Sequence, residues 1–354
     1  MKLELAPVAR QVRVRGLEQG DEAAWDRFVL AHAHGSPFHL MAWRNTIEET
    51  FGYRPMYRVA IGEDGICGVL PLFLVENLLT GKVLLSSPFA VYGGILANSE
   101  EARAALGGDV AALGRDMGVQ HVELRNAHEE QCAGFERLPR YVTFTQAIAG
   151  DDEALLRTIP RKTRYMVRKA LKEEYACSRQ SAASDVFLDL YLANLHRLGT
   201  PAFPRKLFDR IFRNFGNMVD IREYAVNGKP AAAVLTFYFR DQVMPYYGAS
   251  DPAMNAHSPN NYMYFDLMRW GSENGYRVFD FGRSKKEVGG SYEFKAHWGM
   301  MERDLPYEVL LVKRKELPNF SPANSKFSVL TKLWSRLPAG MTRRLGPMFV
   351  RLFP

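Results

Sequence analysis

The chain has 354 residues and a hydrophobic content of 47%, which suits two packed domains and excludes an intrinsically disordered protein. Its longest apolar runs are too short to span a bilayer, and its first residues lack the apolar core and cleavage site of a signal peptide. Three cysteines and eight histidines are scattered without disulfide or zinc-site spacing, so we expect no metal and a reducing, cytoplasmic location.

The net charge of +7 is unevenly distributed along the chain. Seven basic residues lie between positions 157 and 172, and the segment after Glu316 contains six basic residues and no acidic one. Such asymmetry favours a polyanionic partner, which for this chain means a phosphorylated substrate, RNA or a membrane surface.

The first third of the chain alternates between helix and strand patterns. We predict a strand at 11–15, a helix at 21–32 capped by Asp21, and a helix at 40–51. A hairpin follows at 56–61 and 65–75, then strands at 82–85 and 91–96, a helix at 99–118 and a strand at 119–124.

The second half repeats this order. A hairpin at 220–226 and 231–240, turning at Asn227-Gly228, is followed by a strand at 243–247, a helix at 261–274 and a strand at 277–281. The distance from Tyr92 to Glu123 is 31 residues, and that from Tyr247 to Asp280 is 33. The repeat predicts two copies of an α/β unit with mixed sheets; two unrelated segments with the same order are the alternative.

Further helices lie between and after the two copies. A basic helix at 161–174 precedes two helices that flank Gly199-Thr200-Pro201. After the second copy we predict a last strand at 307–312 and two amphipathic helices at 326–337 and 341–352.

Residues 276–300 contain the densest cluster of chemically useful side chains. A short apolar strand ends at Asp280-Phe281-Gly282, a polar loop begins at Arg283, and aromatic and ionisable residues alternate up to Trp298. Because ligands bind at the carboxyl ends of strands in α/β folds, we look for the chemistry here. The alternative is a hairpin whose charges face water.

Several sequence stretches resemble a known family. The repeated unit resembles the GNAT acyltransferase fold, and its duplication resembles the FemAB family of peptidyl (aminoacyl) transferases. The stretches SPFAVYGGIL, IPRKTRYMVRKA, FDFGRSK and FKAHWG are similar to FemAB-like proteins associated with the PEP-CTERM/exosortase system, which occur alongside exopolysaccharide genes in Gram-negative bacteria. The resemblance divides the chain into GNAT-like domains at 1–150 and 151–316 and a basic tail at 317–354.

The resemblance implies an acyltransferase without a bound cofactor. It transfers an aminoacyl group from aminoacyl-tRNA to an amine or hydroxyl of a phosphorylated or saccharide precursor of the cell envelope or exopolysaccharide, bound between the domains. Acyl-CoA is the alternative donor, but the connection at 251–261 contains no glycine and two prolines, which disfavours a pyrophosphate-binding loop. A non-catalytic protein that binds a nucleotide sugar or RNA is a further alternative.

The two candidate catalytic residues are Lys295 and Asp280. Lys295 matches the lysine of the family's FK pair, which implies a position near the donor terminus where its charge stabilises an oxyanion. The alternative is a surface lysine on a strand. Asp280 either accepts a proton from the nucleophile or caps the loop by accepting N–H bonds.

The candidate substrate-binding residues each have a plainer alternative. Arg283 suits a phosphate group, although an ion pair with Glu287 is the alternative. For Tyr92 and Tyr247, the alternative to lining the cleft is burial in the core. For Arg161, Arg164 and Arg168, the alternative is a helix face that contacts only water. The complete set is Tyr247, Arg283, Phe294, Trp298, Tyr92, Arg161, Arg164 and Arg168.

The two tail helices have basic polar faces and aromatic apolar faces. Phe327, Leu330, Leu333, Trp334 and Leu337 share one side of the first helix. Leu345, Met348, Phe349 and Leu352 share one side of the second. This pattern suits peripheral contact with an anionic membrane, such as the cytoplasmic face of the inner membrane. The alternative is packing of both faces on the second domain.

Overall fold

The computed structural model describes residues 12–128, 132–286, 289–318 and 333–354. The helices of the first half are α1 (Glu22–Ala31), α2 (Met41–Phe51) and α3 (Glu100–Asp116). Its strands are β1 (Arg13–Gly16), β2 (Arg54–Pro55), β3 (Arg58–Gly62), β4 (Gly65–Leu70), β5 (Phe73–Asn77), β6 (Gly81–Leu85), β7 (Leu96–Ala97), β8 (His121–Leu124), β9 (Glu136–Leu138) and β10 (Tyr141–Ala147).

The second half begins with two short helices and ends with a helix of the tail. Its helices are α4 (Asp152–Thr158), α5 (Arg161–Ala170), α6 (Asp185–Arg197), α7 (Arg205–Phe215), α8 (Pro259–Glu273), α9 (Gly290–Ala296) and α10 (Ala339–Val350). Its strands are β11 (Tyr175–Gln180), β12 (Val219–Val226), β13 (Lys229–Phe239), β14 (Gln242–Ser250), β15 (Val278–Lys285), β16 (Met301–Asp304) and β17 (Tyr307–Leu311).

Local sequence explains where several elements begin and end. The Ser99 side chain accepts a hydrogen bond from the Ala102 amide and so begins α3 as predicted. Asn227 and Gly228 have φ of 53° and 71°, which produces the tight turn between β12 and β13. Asp21 does not cap α1 with its side chain; it instead forms an ion pair with Arg15 at 2.6 Å.

The strands form three sheets. A four-stranded sheet has the order β1-β3-β4-β7, a six-stranded sheet the order β2-β5-β6-β8-β17-β9, and a seven-stranded sheet the order β11-β12-β13-β14-β15-β10-β16. The largest buried apolar cluster contains residues of both halves, for example Val59 and Leu235. The two halves therefore share a core.

The predicted mixed α/β fold with a duplicated unit is confirmed. The corresponding segments are β5-β6-α3-β8 and β13-β14-α8-β15. Each contains one parallel pair: β6 with β8, through Leu84 and Val122, and β14 with β15, through Gln242 and Val278. In each copy the helix between the two strands carries the chain back, so the second strand runs in the same direction as the first and pairs with it in parallel.

The two halves exchange a strand across the predicted domain boundaries. Strand β10 of the first half lies between β15 and β16 in the seven-stranded sheet. Strand β17 of the second half lies between β8 and β9 in the six-stranded sheet. The boundaries at 150/151 and 316/317 stay a prediction. The boundary at 150/151 nevertheless cuts through both sheets, because the seven-stranded sheet needs β10 and the six-stranded sheet needs β17.

Several predicted elements differ from the structure. The strand predicted at 65–75 is divided into β4 and β5, which belong to different sheets. The strand predicted at 91–96 is reduced to β7, because the chain turns sharply through positive φ at Ser87 and Phe89. Strand β15 continues to Lys285, so Arg283 lies on a strand and not in a loop. The alternating segment after the loop forms the short helix α9, not a returning strand.

Candidate active site

Strands β14 and β15 separate at their carboxyl ends. Within the described residues they pair only at Gln242–Val278 and Val243–Phe279. A register shift leaves Tyr246 of β14 as an extra residue against β13. A second shift places two residues of β15, Phe281 and Gly282, against the single residue Phe144 of β10, and Gly282 has a φ of 68° that suits glycine. The two bulges accompany an opening between the strands.

A cleft of about 570 Å³ lies at this opening, between the two halves. Its size is within the range of small-molecule sites in proteins. It is lined by Phe89, Arg125, Tyr191, Leu195, Gly199, Thr200, Pro201, Phe203, Tyr246, Tyr247, Gly248, Arg283, Lys285, Val350, Phe353 and Pro354.

Three basic residues line the cleft, and no acidic residue is among the described lining residues. The guanidinium of Arg283 lies 4.5 Å from the ring centre of Tyr141 and donates to Tyr307 Oη at 3.3 Å. Arg125 forms an ion pair with Glu123 at 2.9 Å. Burial raises the pKa of Glu123, but Arg125 and His121 lower it by more, so the carboxyl stays ionised. Arg125 also donates to the carbonyl oxygens of Ser87, Ala90 and Pro354, so Arg283 and Lys285 supply the positive charge that attracts anions to the cleft.

Tyr247 lines this cleft and has a buried hydroxyl group. Its side chain is 8% exposed, and its hydroxyl has no hydrogen-bond partner among the described residues. The rings of Tyr191 and Phe208 pack edge-on against Tyr247 and hold it in place. A buried hydroxyl without a partner is costly, so this position suits a ligand that accepts or donates a hydrogen bond.

Lys295 lies on α9 behind the β15 bulge. Its Nζ donates to the carbonyl oxygens of Gly282 and Arg283, both at 3.0 Å. One N–H bond of the ammonium group is left without a partner among the described residues. Burial lowers the pKa of Lys295 to about 8, with Arg283 acting in the same direction and Asp280 against it. The alternative of a surface lysine on a strand does not hold, since Lys295 lies on a helix.

Asp280 is buried and fully hydrogen-bonded. Its carboxylate accepts from Tyr92 Oη at 2.7 Å, from the Gly282 amide at 2.7 Å and from Thr143 Oγ1 at 3.4 Å. Burial raises its pKa, while the bonds from Tyr92 and Gly282 oppose the shift. These contacts match the loop-capping alternative and make Asp280 a link between the halves.

Asp280 and Tyr92 line a different cavity from Tyr247 and Arg283. This second cavity, of about 370 Å³, also contains His34, His128 and Arg303 and lies near the amino end of β15. The structure therefore brings Tyr247 and Arg283 together at one end of the strand and Tyr92 and Asp280 together nearer the other.

Phe294 and Trp298 belong to an aromatic cluster beneath β15. Trp298 is fully buried, and its ring centre lies 5.8 Å from that of Phe281 and 6.3 Å from that of Phe294. Close packing leaves no surface of the Trp298 ring for a substrate. The position of Trp298 suits a residue that supports strand β15 rather than one that contacts a substrate.

Helix α5 exposes Arg161 and Arg168 to solvent and leaves Arg164 half-buried. It buries Thr163, Val167 and Ala170, and Thr163 Oγ1 donates to the His297 carbonyl oxygen at 2.6 Å. Arg168 pairs with Glu153 at 3.1 Å. Arg161 and Arg164 have no ion pair among the described residues. A phosphate contact at this face stays a prediction. Glu287, considered as a partner of Arg283, lies outside the described residues.

Sequence reasoning missed Arg125, Lys285 and Tyr246. Arg125 directly follows β8, the counterpart of β15. The repeat therefore contained the signal, since a ligand site at one strand end directs attention to the equivalent end in the other copy. Lys285 was assigned to a loop, and Tyr246 cannot be recognised without the bulge in β14.

The described residues contain no group of three or more His, Cys, Asp or Glu side chains placed to hold a metal ion. No helix in the described part of the chain is long and apolar enough to cross a bilayer.

Comparisons with known proteins add a domain-model match and a fold. Residues 156–296 match the acetyltransferase (GNAT) domain model. No curated protein matches the chain. Among solved structures, that of FemX is similar with a TM-score of 0.68 and 16% identity, over 85% of this chain and 98% of FemX.

Two further structures are similar over most of the chain. L-PGS from Bacillus licheniformis has a TM-score of 0.53 and 14% identity, over 90% of this chain and 98% of its own. A tandem GNAT protein from the clavulanic acid biosynthesis pathway has a TM-score of 0.55 and 10% identity, over 86% and 100%. At these identities the likeness shows the fold. The chain thus contains a segment, residues 156–296, that matches the acetyltransferase (GNAT) domain model, and it has a fold similar to that of FemX.

Proposed function

We propose that the protein is an aminoacyl or acyl transferase whose acceptor is a phosphorylated saccharide of the cell envelope or an exopolysaccharide. The observation that carries this proposal is the cleft at the separated ends of β14 and β15, where Tyr247 and the two arginines converge. Arginine forks suit phosphate, and the aromatic walls suit a sugar ring. The link to PEP-CTERM systems rests on sequence resemblance and stays a prediction.

The reaction forms an amide or ester bond at the acceptor and breaks the ester or thioester bond of the donor. The acceptor nitrogen or oxygen attacks the donor carbonyl, and the leaving oxygen or sulfur takes up a proton. We assign Lys295 to the oxyanion, because its ammonium is held on the β15 bulge with one N–H bond to spare. The acceptor's phosphate then lies toward Arg125 and Arg283.

The connection before α8 supports aminoacyl-tRNA over acyl-CoA. It forms the 3₁₀ helix Pro252–His257, and Lys169 donates to the Ala256 carbonyl oxygen at 2.8 Å. Helix α8 begins at Pro259, which has no N–H to offer a pyrophosphate. The pyrophosphate of CoA is usually bound by a row of free backbone amides, and this connection does not offer such a row.

A thermal-unfolding panel tests the proposal directly. We expect a UDP-sugar and charged tRNA, but not CoA thioesters, to stabilise the protein; a ligand at 100 times its Kd adds about 2.7 kcal/mol. The UDP-sugar shift should disappear in Arg125→Gln and Arg283→Gln and persist in Arg277→Gln, an exposed arginine outside the cleft. Equal shifts in all three variants would place the phosphate elsewhere, and a shift with CoA thioesters alone would favour the alternative donor.

The exposed Arg161 and the half-buried Arg164 of α5 should contribute to tRNA binding through phosphate contacts. We expect Arg161→Ala with Arg164→Ala to lower the slope of log K against log salt by about 0.7 to 0.9 for each lost contact. Arg168→Ala should have less effect, because Glu153 already neutralises Arg168. The control is Arg213→Ala, which removes an exposed arginine of α7 that pairs with Glu49. An unchanged slope in the double variant would mean that the face is only solvated.

A further inference from the structure

Exposed apolar side chains concentrate on α10 and a neighbouring turn. Met348 is 67% exposed and Leu333 is 55% exposed. The turn between β5 and β6 exposes Leu78 completely. Soluble proteins rarely leave such side chains together in water without a partner. We call the following set the outer face: Leu78, Leu79, Leu333, Met341, Met348 and Phe349.

Helix α10 is attached to the protein by a different side from the one predicted. It buries Thr342, Gly346 and Val350, and a Cβ at Gly346 would lie 3.1 Å from the Ala202 carbonyl oxygen. Small residues thus allow a close approach of the helix to the protein. The alternative, that its large apolar residues pack on the second domain, does not hold for Met348 and Phe349, which are exposed.

The turn with Leu78 is tied to the end of α10. Asn77 Nδ2 donates to the Arg351 carbonyl oxygen at 3.2 Å, and Tyr53 Oη donates to the same oxygen at 3.0 Å. Two segments far apart in sequence are therefore held side by side, and both carry exposed leucine, methionine or phenylalanine.

Basic residues accompany the outer face. Arg336 and Arg344 are exposed and have no ion pair among the described residues. Arg343 pairs with Asp189, and Arg351 donates to the Thr50 carbonyl oxygen at 3.4 Å. The sequence contains no acidic residue after Glu316. On the turn, Glu76 has a basic neighbour, Lys82, at 4.0 Å.

We infer that the outer face docks on the surface of an anionic lipid bilayer. Apolar side chains of this size enter the acyl boundary, while unpaired arginines contact lipid phosphates. A membrane explains both parts of the surface, whereas an apolar protein partner would leave the arginines unexplained. Val350 of the same helix lines the cleft; if the proposed function holds, a docked protein presents that cleft close to the lipid surface.

The test is co-sedimentation of the full chain with vesicles of phosphatidylcholine alone or with 30% phosphatidylglycerol. We expect binding to the anionic vesicles only, weakened by high salt. Met341→Asp with Met348→Asp should lower the partition coefficient at least about tenfold. Arg336→Gln with Arg344→Gln should lower it and reduce the salt dependence. Leu30→Asp, at a residue of α1 as exposed as Met341 (both 47%), is the matched control.

Three results would overturn the inference. They are absence of binding to anionic vesicles, equal binding by the Met341/Met348 variant, and equal loss in the Leu30 control. Self-association of the free chain that this same variant abolishes, without vesicle binding, would assign the outer face to a second copy instead. None of these readouts depends on transfer activity, so they leave the proposed function to its own test.

Discussion

Replacing Lys295 by methionine should lower the rate of transfer by about 10²- to 10³-fold while the protein stays folded. Loss of one preorganised donor at a developing oxyanion typically has an effect of this size. Methionine retains the length of the side chain but removes the bonds to the carbonyl oxygens of Gly282 and Arg283. The measurement is a single-turnover rate with saturating donor, accompanied by the Kd of the acceptor, which should change little.

The matched control is Lys229→Met, which removes an exposed lysine at the start of β13. Near-native turnover in the Lys295 variant would exclude a catalytic role. A rise in the Kd for acceptor without a fall in rate would instead mean that Lys295 only holds the bulge that positions Arg283.

The pH dependence of the rate follows from the same residue. The pKa of Lys295 is lowered to about 8, and the assigned role requires its protonated form. The rate should therefore fall as pH rises through about 8, and this decline should be absent in Lys295→Met. A rate that increases through the same range would indicate that neutral Lys295 acts as a base.

Replacing Asp280 by alanine should lower the free energy of unfolding by about 2 to 4 kcal/mol. The carboxylate accepts three hydrogen bonds in the buried region between the halves. Tyr92 and Thr143 can still bond to each other, at 2.8 Å, but the Gly282 amide is left unsatisfied beside a small cavity. Denaturant unfolding measures the change.

Asp280→Asn removes the charge of the carboxylate but keeps the shape of the side chain. Burial raises the Asp280 pKa, so the folded chain binds the proton more tightly than the unfolded chain does. The stability that protonation contributes is present at low pH and is lost as pH rises through the folded pKa. We therefore expect Asp280→Asn to be at least as stable as the parent at pH 7, with a rate within about tenfold of it. A much larger loss of rate would restore the proton-acceptor role.

The fold could be predicted from the sequence to a large extent because its signals are local. The Asn227-Gly228 turn, the Ser99 cap and the apolar strands each act over a few residues. The repeat predicted two corresponding units, but it matched 91–96 to 243–247, whereas in the structure β6 is the counterpart of β14. The failures at 91–96 and 290–296 arose where backbone turns with positive φ, or packing of Trp298 beneath β15, overrode the local pattern.

The candidate site was predicted only in part, because cavities depend on packing between distant segments. Lys295 was found through family resemblance and Arg283 through its place at a strand end, and the two are close together at the bulge. The division of Tyr92 and Tyr247 between two cavities depends on the direction in which each side chain leaves its backbone. The alternation of side chains along a strand no longer predicts that direction once the strand contains a bulge.

The exchange of β10 and β17 has a consequence for biosynthesis. Strand β10 leaves the ribosome long before its neighbours β15 and β16, and the six-stranded sheet stays open until β17 has been made. Both sheets thus depend on contacts between residues far apart in sequence, which makes folding slow and leaves strand edges uncovered meanwhile. A ribosome-bound nascent chain that ends before β17 should therefore be a substrate for chaperones, and the two halves should mature together or not at all.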